Sequence, residues 1–128
     1  MNSVLMVAAG GALGAVARYA TGLAATRMFG AGSWPWGTLA VNVVGGLLIG
    51  LATGWIAYRG AAQSEAIRLF VVVGVLGGFT TFSAFSLEVV SLLERREMAT
   101  ATLYVLASVF LSVVAAFVGL TIMRKVFG

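Results

Sequence analysis

The stretch "GGFTTFSAFS" at residues 77–86 sets two glycines, four hydroxyl side chains and three evenly spaced phenylalanines side by side. "FVVVGVL" precedes it and "LEVVSLL" follows, so apolar sequence runs into it and out of it again. The setting is hydrocarbon: 61% of the 128 residues are hydrophobic, 9% are charged, and mean hydropathy is +1.07. Soluble domains carry about 25% charged residues, so this chain lacks the polar surface to dissolve. A bilayer core about 30 Å thick is crossed by about 20 apolar residues of helix. The charge-free runs are 1–17, 28–58, 69–87 and 98–123. They predict one transmembrane domain over residues 1–128, with helices at about 3–25, 37–58, 66–94 and 98–124. The third helix then contains the quoted stretch at its centre.

Composition also excludes chemistry. Cysteine and histidine are absent, which removes thiol catalysis, imidazole bases and most transition-metal sites. The four acids, Glu65, Glu88, Glu94 and Glu97, make a poor hydrolytic pair, so no enzyme is expected. Eight basic residues are scattered singly or in pairs, without the basic stripe that nucleic acid requires. A cleaved signal peptide competes for the first run, with "AVA" at 15–17 as a cleavage site, but the basic segment that should precede it is missing.

The loops "GAGSWPWG" (30–37), "RGAAQSE" (59–65) and "ERREMA" (94–99) punctuate the spans. Gly and Pro stop a helix in the first of them, and Trp34 and Trp36 suit the headgroup belt. Four spans place both termini and the second loop on one face, with Arg59, Arg68, Arg124 and Lys125. The other face holds Arg27, Arg95, Arg96 and, if it snorkels forward, Arg18. Orientation follows Lys/Arg imbalance across short loops. Four against four gives none, which is either coincidence among few charges or the mark of a chain that inserts both ways and pairs antiparallel. Small residues recur every four positions at Thr38, Asn42, Gly46, Gly50 and Gly54, and again at Gly10, Gly14 and Gly22 around Arg18. Such rows let helices approach closely, inside one subunit or between two, and oligomerisation is expected.

Polar groups at membrane depth face a cavity, a partner or one another. Asn42 reads as a hydrogen bond between helices or as a pore donor. Tyr104, Ser108 and Ser112 share one face at i, i+4, i+8; serines commonly bond back to their own helix, but three hydroxyls in a row also fit a wet stripe. Glu88 is the acid farthest from a loop, and a proton carrier, a structural partner and a vestibule residue are all open to it. Gly77-Gly78 can leave helical geometry cheaply, freeing backbone groups that survive at this depth only if buried in protein or lining water. Freed carbonyls suit a hard cation such as Na⁺. Phe79, Phe82 and Phe85 share a face if the segment is helical, either as packing or as positive ring edges turned toward an anion.

Taken together, "GGFTTFSAFSLE" (77–88) and "PWGTLAVNVVGG" (35–46) closely resemble the Fluc (CrcB) family of small bacterial fluoride channels. The resemblance extends from the "GG" of the first helix through "ASVFLS" in the fourth. It implies an all-α protein of the bacterial inner membrane, an antiparallel dual-topology homodimer with two pores and a third helix broken at its centre. It also implies carbonyls of Gly77 and Thr80 from both subunits around a structural Na⁺, and Phe82 and Phe85 presenting ring edges to fluoride. Asn42 would donate near those rings, Ser83, Tyr104, Ser108 and Ser112 would line the pore, and Arg18 would match the family's first-helix arginine. Ala84 and Ala116 depart from the family pattern, where hydroxyls are common. A proton-coupled multidrug exporter of similar size is the alternative, but it needs an acid in its first helix, and residues 1–26 contain none. A non-transporting assembly subunit would leave Asn42, the phenylalanines and the serines unexplained.

Overall fold

The computed structural model describes residues 2–30, 32, 34–58 and 61–128, and their regular secondary structure is all helical. Arg59, counted above among the basic residues, lies outside the described residues. Helix α1 spans Ser3–Phe29. The Asn2 side chain caps it by accepting from the Val4 N–H at 2.7 Å. Gly30, at φ 77°, ends it, a left-handed conformation that costs glycine little. Nothing before that glycine breaks a helix, so α1 outruns the expected end at 25. Helix α2 is Trp36–Ile56, opened by Pro35, whose carbonyl takes the Leu39 N–H at 3.2 Å.

Helix α3 begins at Ala61–Ile67, five residues earlier than expected, because "AAQSE" is good helical sequence. It widens into π-helical winding over Arg68–Leu76 and closes with one α turn, Gly77–Phe79. Helix α4 is Ser83–Glu94 and α5 is Met98–Phe127, joined by a turn in which Arg96 adopts φ 61°. Among the described residues, four helical stretches are long and apolar enough to cross a membrane: Ser3–Phe29, Trp36–Ile56, Ser64–Glu94 and Met98–Phe127. The protein is a multi-pass membrane protein, and leucines, valines and phenylalanines cover its outer surface.

The third span is broken near its middle, but not where its glycines suggested. Gly77 is helical at φ −61°, ψ −39°, whereas Thr80 is extended at φ −81°, ψ 156°. The glycines serve closeness instead. A Cβ on Gly78 would lie 2.5 Å from the Gly11 carbonyl oxygen and 3.1 Å from its Cα, so α1 and α3 touch backbone to backbone there.

The small-residue rows are likewise used inside the subunit. A Cβ on Gly46 would sit 2.6 Å from the Ser112 carbonyl oxygen, and one on Gly50 would sit 3.0 Å from Leu120 N. One on Gly54 would press on Met123, and Gly119 of α5 answers against Leu47 and Gly50. Gly10 and Gly14 receive Phe70, Gly74, Val75 and Phe79 in the same way. The molecule is thus two close pairs, α1 with α3 and α2 with α5, and α4 leans on α5. The core where α4 meets α5 is Phe85, Leu92, Ala101 and Tyr104, and Trp34 packs against it. Trp36 stacks on Phe29 at 4.9 Å and remains at the surface. Trp34 instead turns inward, so only one of the two expected belt residues lies on the outside.

Candidate functional site

Where a helix stops inside a membrane, its loose N–H and C=O groups need partners, because no water is there to supply them. Three side chains meet this need. Asn42 of α2 clamps the peptide of Thr81: its Nδ2 donates to the Thr81 carbonyl at 3.0 Å, and its Oδ1 accepts from the Thr81 N–H at 3.0 Å. Thr81 Oγ1 accepts from the Ala84 N–H at 3.1 Å, in the manner of a helix N-cap. Arg18 Nε, on α1, donates to the Gly78 carbonyl at 3.1 Å. The arginine is therefore held at the break and does not snorkel to a loop, which leaves four basic residues against three in the count above.

These diversions have a geometric result. In a continuous helix the Thr81 and Ala84 amides would bond the carbonyls of Gly77 and Thr80. One amide goes to Asn42 and the other to the Thr81 hydroxyl, so both carbonyls lose their helical donors.

Beside the break lies a groove of ≈ 410 Å³, lined among others by Asn42, Thr80, Thr81, Phe82, Phe85, Ser108 and Ser112. The phenylalanines within it differ sharply. Phe85 is 8% exposed and Phe82 is 77% exposed, with ring centroids 5.5 Å apart. Phe85 continues to Tyr104 at 5.2 Å, and Tyr104 meets the Trp34 ring edge-on at 5.5 Å. Phe79 is separated from this ladder by the break, and its ring lies toward Gly45. Ser83 does not join the groove either; its hydroxyl lies 3.3 Å from Thr81 Oγ1 at the exposed start of α4.

The hydroxyl stripe of α5 is where the two readings of a membrane serine part. Thr21, Thr26, Ser86 and Thr121 each donate back to the carbonyl four residues earlier. Tyr104 Oη, Ser108 Oγ and Ser112 Oγ are buried and none completes a well-formed hydrogen bond to protein, although Tyr104 Oη lies close to the hydroxyls of Thr38 and Ser108. An unpaired buried polar group costs about 1–3 kcal/mol, so three in one file mark a place for a hydrogen-bonding guest. Glu88 accepts a hydrogen bond from Thr38 Oγ1. It also lines a cavity of ≈ 560 Å³ that reaches Gly32, Pro35, Ser91 and Arg95 toward the loops. Thr38 and Thr81 were missed as site residues. Thr81 carried a usable signal, a hydroxyl three residues ahead of the amide it caps; Thr38 lies one turn before Asn42 in the small-residue row. Among the described residues no group of His, Cys, Asp or Glu is placed to hold a metal.

A family model described as "CrcB-like protein, Camphor Resistance (CrcB)" matches residues 5–120 of the chain. The chain is 57% identical over 127 residues to a protein of Caulobacter sp. (strain K31) named "Fluoride-specific ion channel FluC", covering 99% of this chain and 98% of that one. Proteins of the same name from Caulobacter vibrioides (strain NA1000 / CB15N) and Agrobacterium fabrum (strain C58) are 54% and 50% identical, each across 99% of this chain.

Proposed function

The chain belongs to the CrcB family, and from that premise we propose that it is a fluoride-selective channel, not an enzyme, carrying the ion passively out of the cell. The observation that carries the reading is the file of unpartnered hydroxyls at Tyr104, Ser108 and Ser112 beside the rings of Phe82 and Phe85. Fluoride is small and tightly hydrated, so a pore must replace its water with donors. The hydroxyls supply O–H groups, the second N–H of Asn42 remains beyond its bond to Thr81, and ring edges add partial positive charge without a trapping full charge. The exporter alternative finds no acid in residues 1–26.

Liposomes holding only this protein should release fluoride and retain chloride. Phe82→Ile, at a ring that is 77% exposed in the subunit, should leave stability unchanged and slow efflux on the order of tenfold or more. Phe85→Ile should slow efflux and also cost about 1–3 kcal/mol of core packing, while Phe79→Ile should conduct near normally. Equal release of both anions would overturn the selectivity. Unchanged efflux in the Phe82 and Phe85 variants would return these rings to packing.

We further infer an antiparallel homodimer formed by chains inserted in both directions. The near-even basic count supports it, as do a groove open on one side and the exposed Phe82 ring. C-terminal reporters should find both orientations, and a single fixed one would refute the arrangement. A Na⁺ ion fits the same assembly. The carbonyls of Gly77 and Thr80, which lose their helical amides, are neutral oxygen donors of the kind a hard cation takes. Two per subunit are too few, and a second copy would double them. Such an ion would be structural, so currents should reverse at the fluoride equilibrium potential whatever the Na⁺ gradient; reversal that follows Na⁺ would mean coupled transport.

A further inference from the structure

The inner file of unpaired donors does not end at Tyr104. Trp34 Nε1 is also buried and has no protein partner, and its ring meets Tyr104 edge-on, with centroids 5.5 Å apart and planes at 79°. An indole N–H can only donate. Trp34 belongs to the loop before α2 and lines a cavity of ≈ 250 Å³ shared with Pro35, Thr38 and Glu88. The sequence assigned this tryptophan to the headgroup belt, but a belt indole must reach lipid, and this nitrogen is turned away from the outer surface. Trp36, 44% exposed, occupies the surface position.

We propose that the Trp34 indole N–H is the outermost hydrogen-bond donor of the anion path, taking fluoride from the vestibule and passing it to Tyr104, Ser108 and Ser112. The inference rests on the fluoride-channel reading and adds to it a residue and an order of contact. A hydrogen bond to an anion is stronger than one to water, so the donor would favour loss of the ion's first waters. The Glu88 carboxyl in the same cavity, engaged by Thr38, would when ionised act in the opposite sense and repel a lingering anion. Entry favourable enough to strip water and weak enough to release the ion is the condition for conduction. Donor and acid together meet it.

The test has two arms. In liposomes, Trp34→Phe keeps the ring against Tyr104 and deletes the N–H; fluoride efflux should fall about tenfold. In wild-type protein labelled with ¹⁵N at the indoles, the Trp34 signal should move on adding sodium fluoride and stay still with sodium chloride, with Trp36 and Trp55 as references. Should the Phe variant fail to assemble, the wild-type signal decides alone. An assembled Trp34→Phe variant conducting at the wild-type rate, or a Trp34 signal blind to fluoride, overturns the proposal while leaving the channel intact; the donor would then hold a structural water. Absence of fluoride efflux from wild-type protein instead removes the channel reading, and this proposal with it.

Discussion

Replacing Asn42 by leucine should abolish fluoride conduction and destabilise the subunit by about 2–5 kcal/mol, although the side chain keeps the same branched heavy-atom skeleton. The two bonds from Asn42 to the Thr81 peptide, each 3.0 Å, would be lost together. Each unpaired peptide group costs about 1–3 kcal/mol where water cannot reach. The Thr81 N–H would then be free to return to Gly77, re-forming the helix across the break and moving Phe82 out of the groove. Asn42→Asp separates donor from acceptor: it still accepts from the Thr81 N–H but sets a carboxylate oxygen against the Thr81 carbonyl, and it places negative charge on the anion path. It too should be silent in efflux assays. Thermal unfolding in detergent and liposome efflux, measured on both variants, check the expectation. A leucine variant with wild-type melting and rate would reduce Asn42 to a bystander.

Gly50→Ala is the second large effect. The added methyl would lie 3.0 Å from Ala116 C and from Leu120 N and would overlap the Ala116 carbonyl oxygen. These are backbone atoms that cannot rotate away, so α2 and α5 must separate. Overpacking costs about 1–3 kcal/mol where side chains can yield, and backbone contact on this scale should exceed that range. Because Ser108 and Ser112 ride on α5 while Asn42 rides on α2, separation also widens the groove and lowers selectivity over chloride. Gly11→Ala is the internal comparison: nothing lies within 4 Å of its added Cβ, so stability should hold or rise slightly through helix propensity. Similar losses in the two variants would show that glycine content matters here, and not the α2–α5 contact.

What sequence could and could not reveal follows from the range of the forces involved. Charge-free runs located four spans because desolvating a charge in lipid outweighs every local preference. The break was placed at Gly77-Gly78 because glycine is permissive, yet permissiveness is not compulsion. Both stay helical, Gly78 with α1 closed against it, and Thr80 bends instead, beside the Thr81 peptide that Asn42 holds from 39 positions away in sequence. Ser108 and Thr121 are equally plausible as back-bonded hydroxyls from sequence, and only their surroundings separate the free one from the bonded one. Trp34 and Trp36 carry the same local signal, and the core under α4 decides which of them turns inward. The paired motifs made the family recognisable; the diversion of two amides by Asn42 and Thr81 needed coordinates.

The bond between Arg18 and the Gly78 carbonyl spans 60 residues, and this separation is also an interval of time. Synthesis adds about 5–20 residues per second, so the carbonyl leaves the ribosome roughly 3–12 s after the arginine that needs it. Until then α1 carries a guanidinium whose insertion near a helix centre costs about 2.5–3.5 kcal/mol on biological scales. During those seconds the first helix has only headgroups and stray water to satisfy that charge. Its commitment to the bilayer is therefore provisional until the third span arrives, and a chain that inserts both ways, as proposed, would settle its orientation within the same interval.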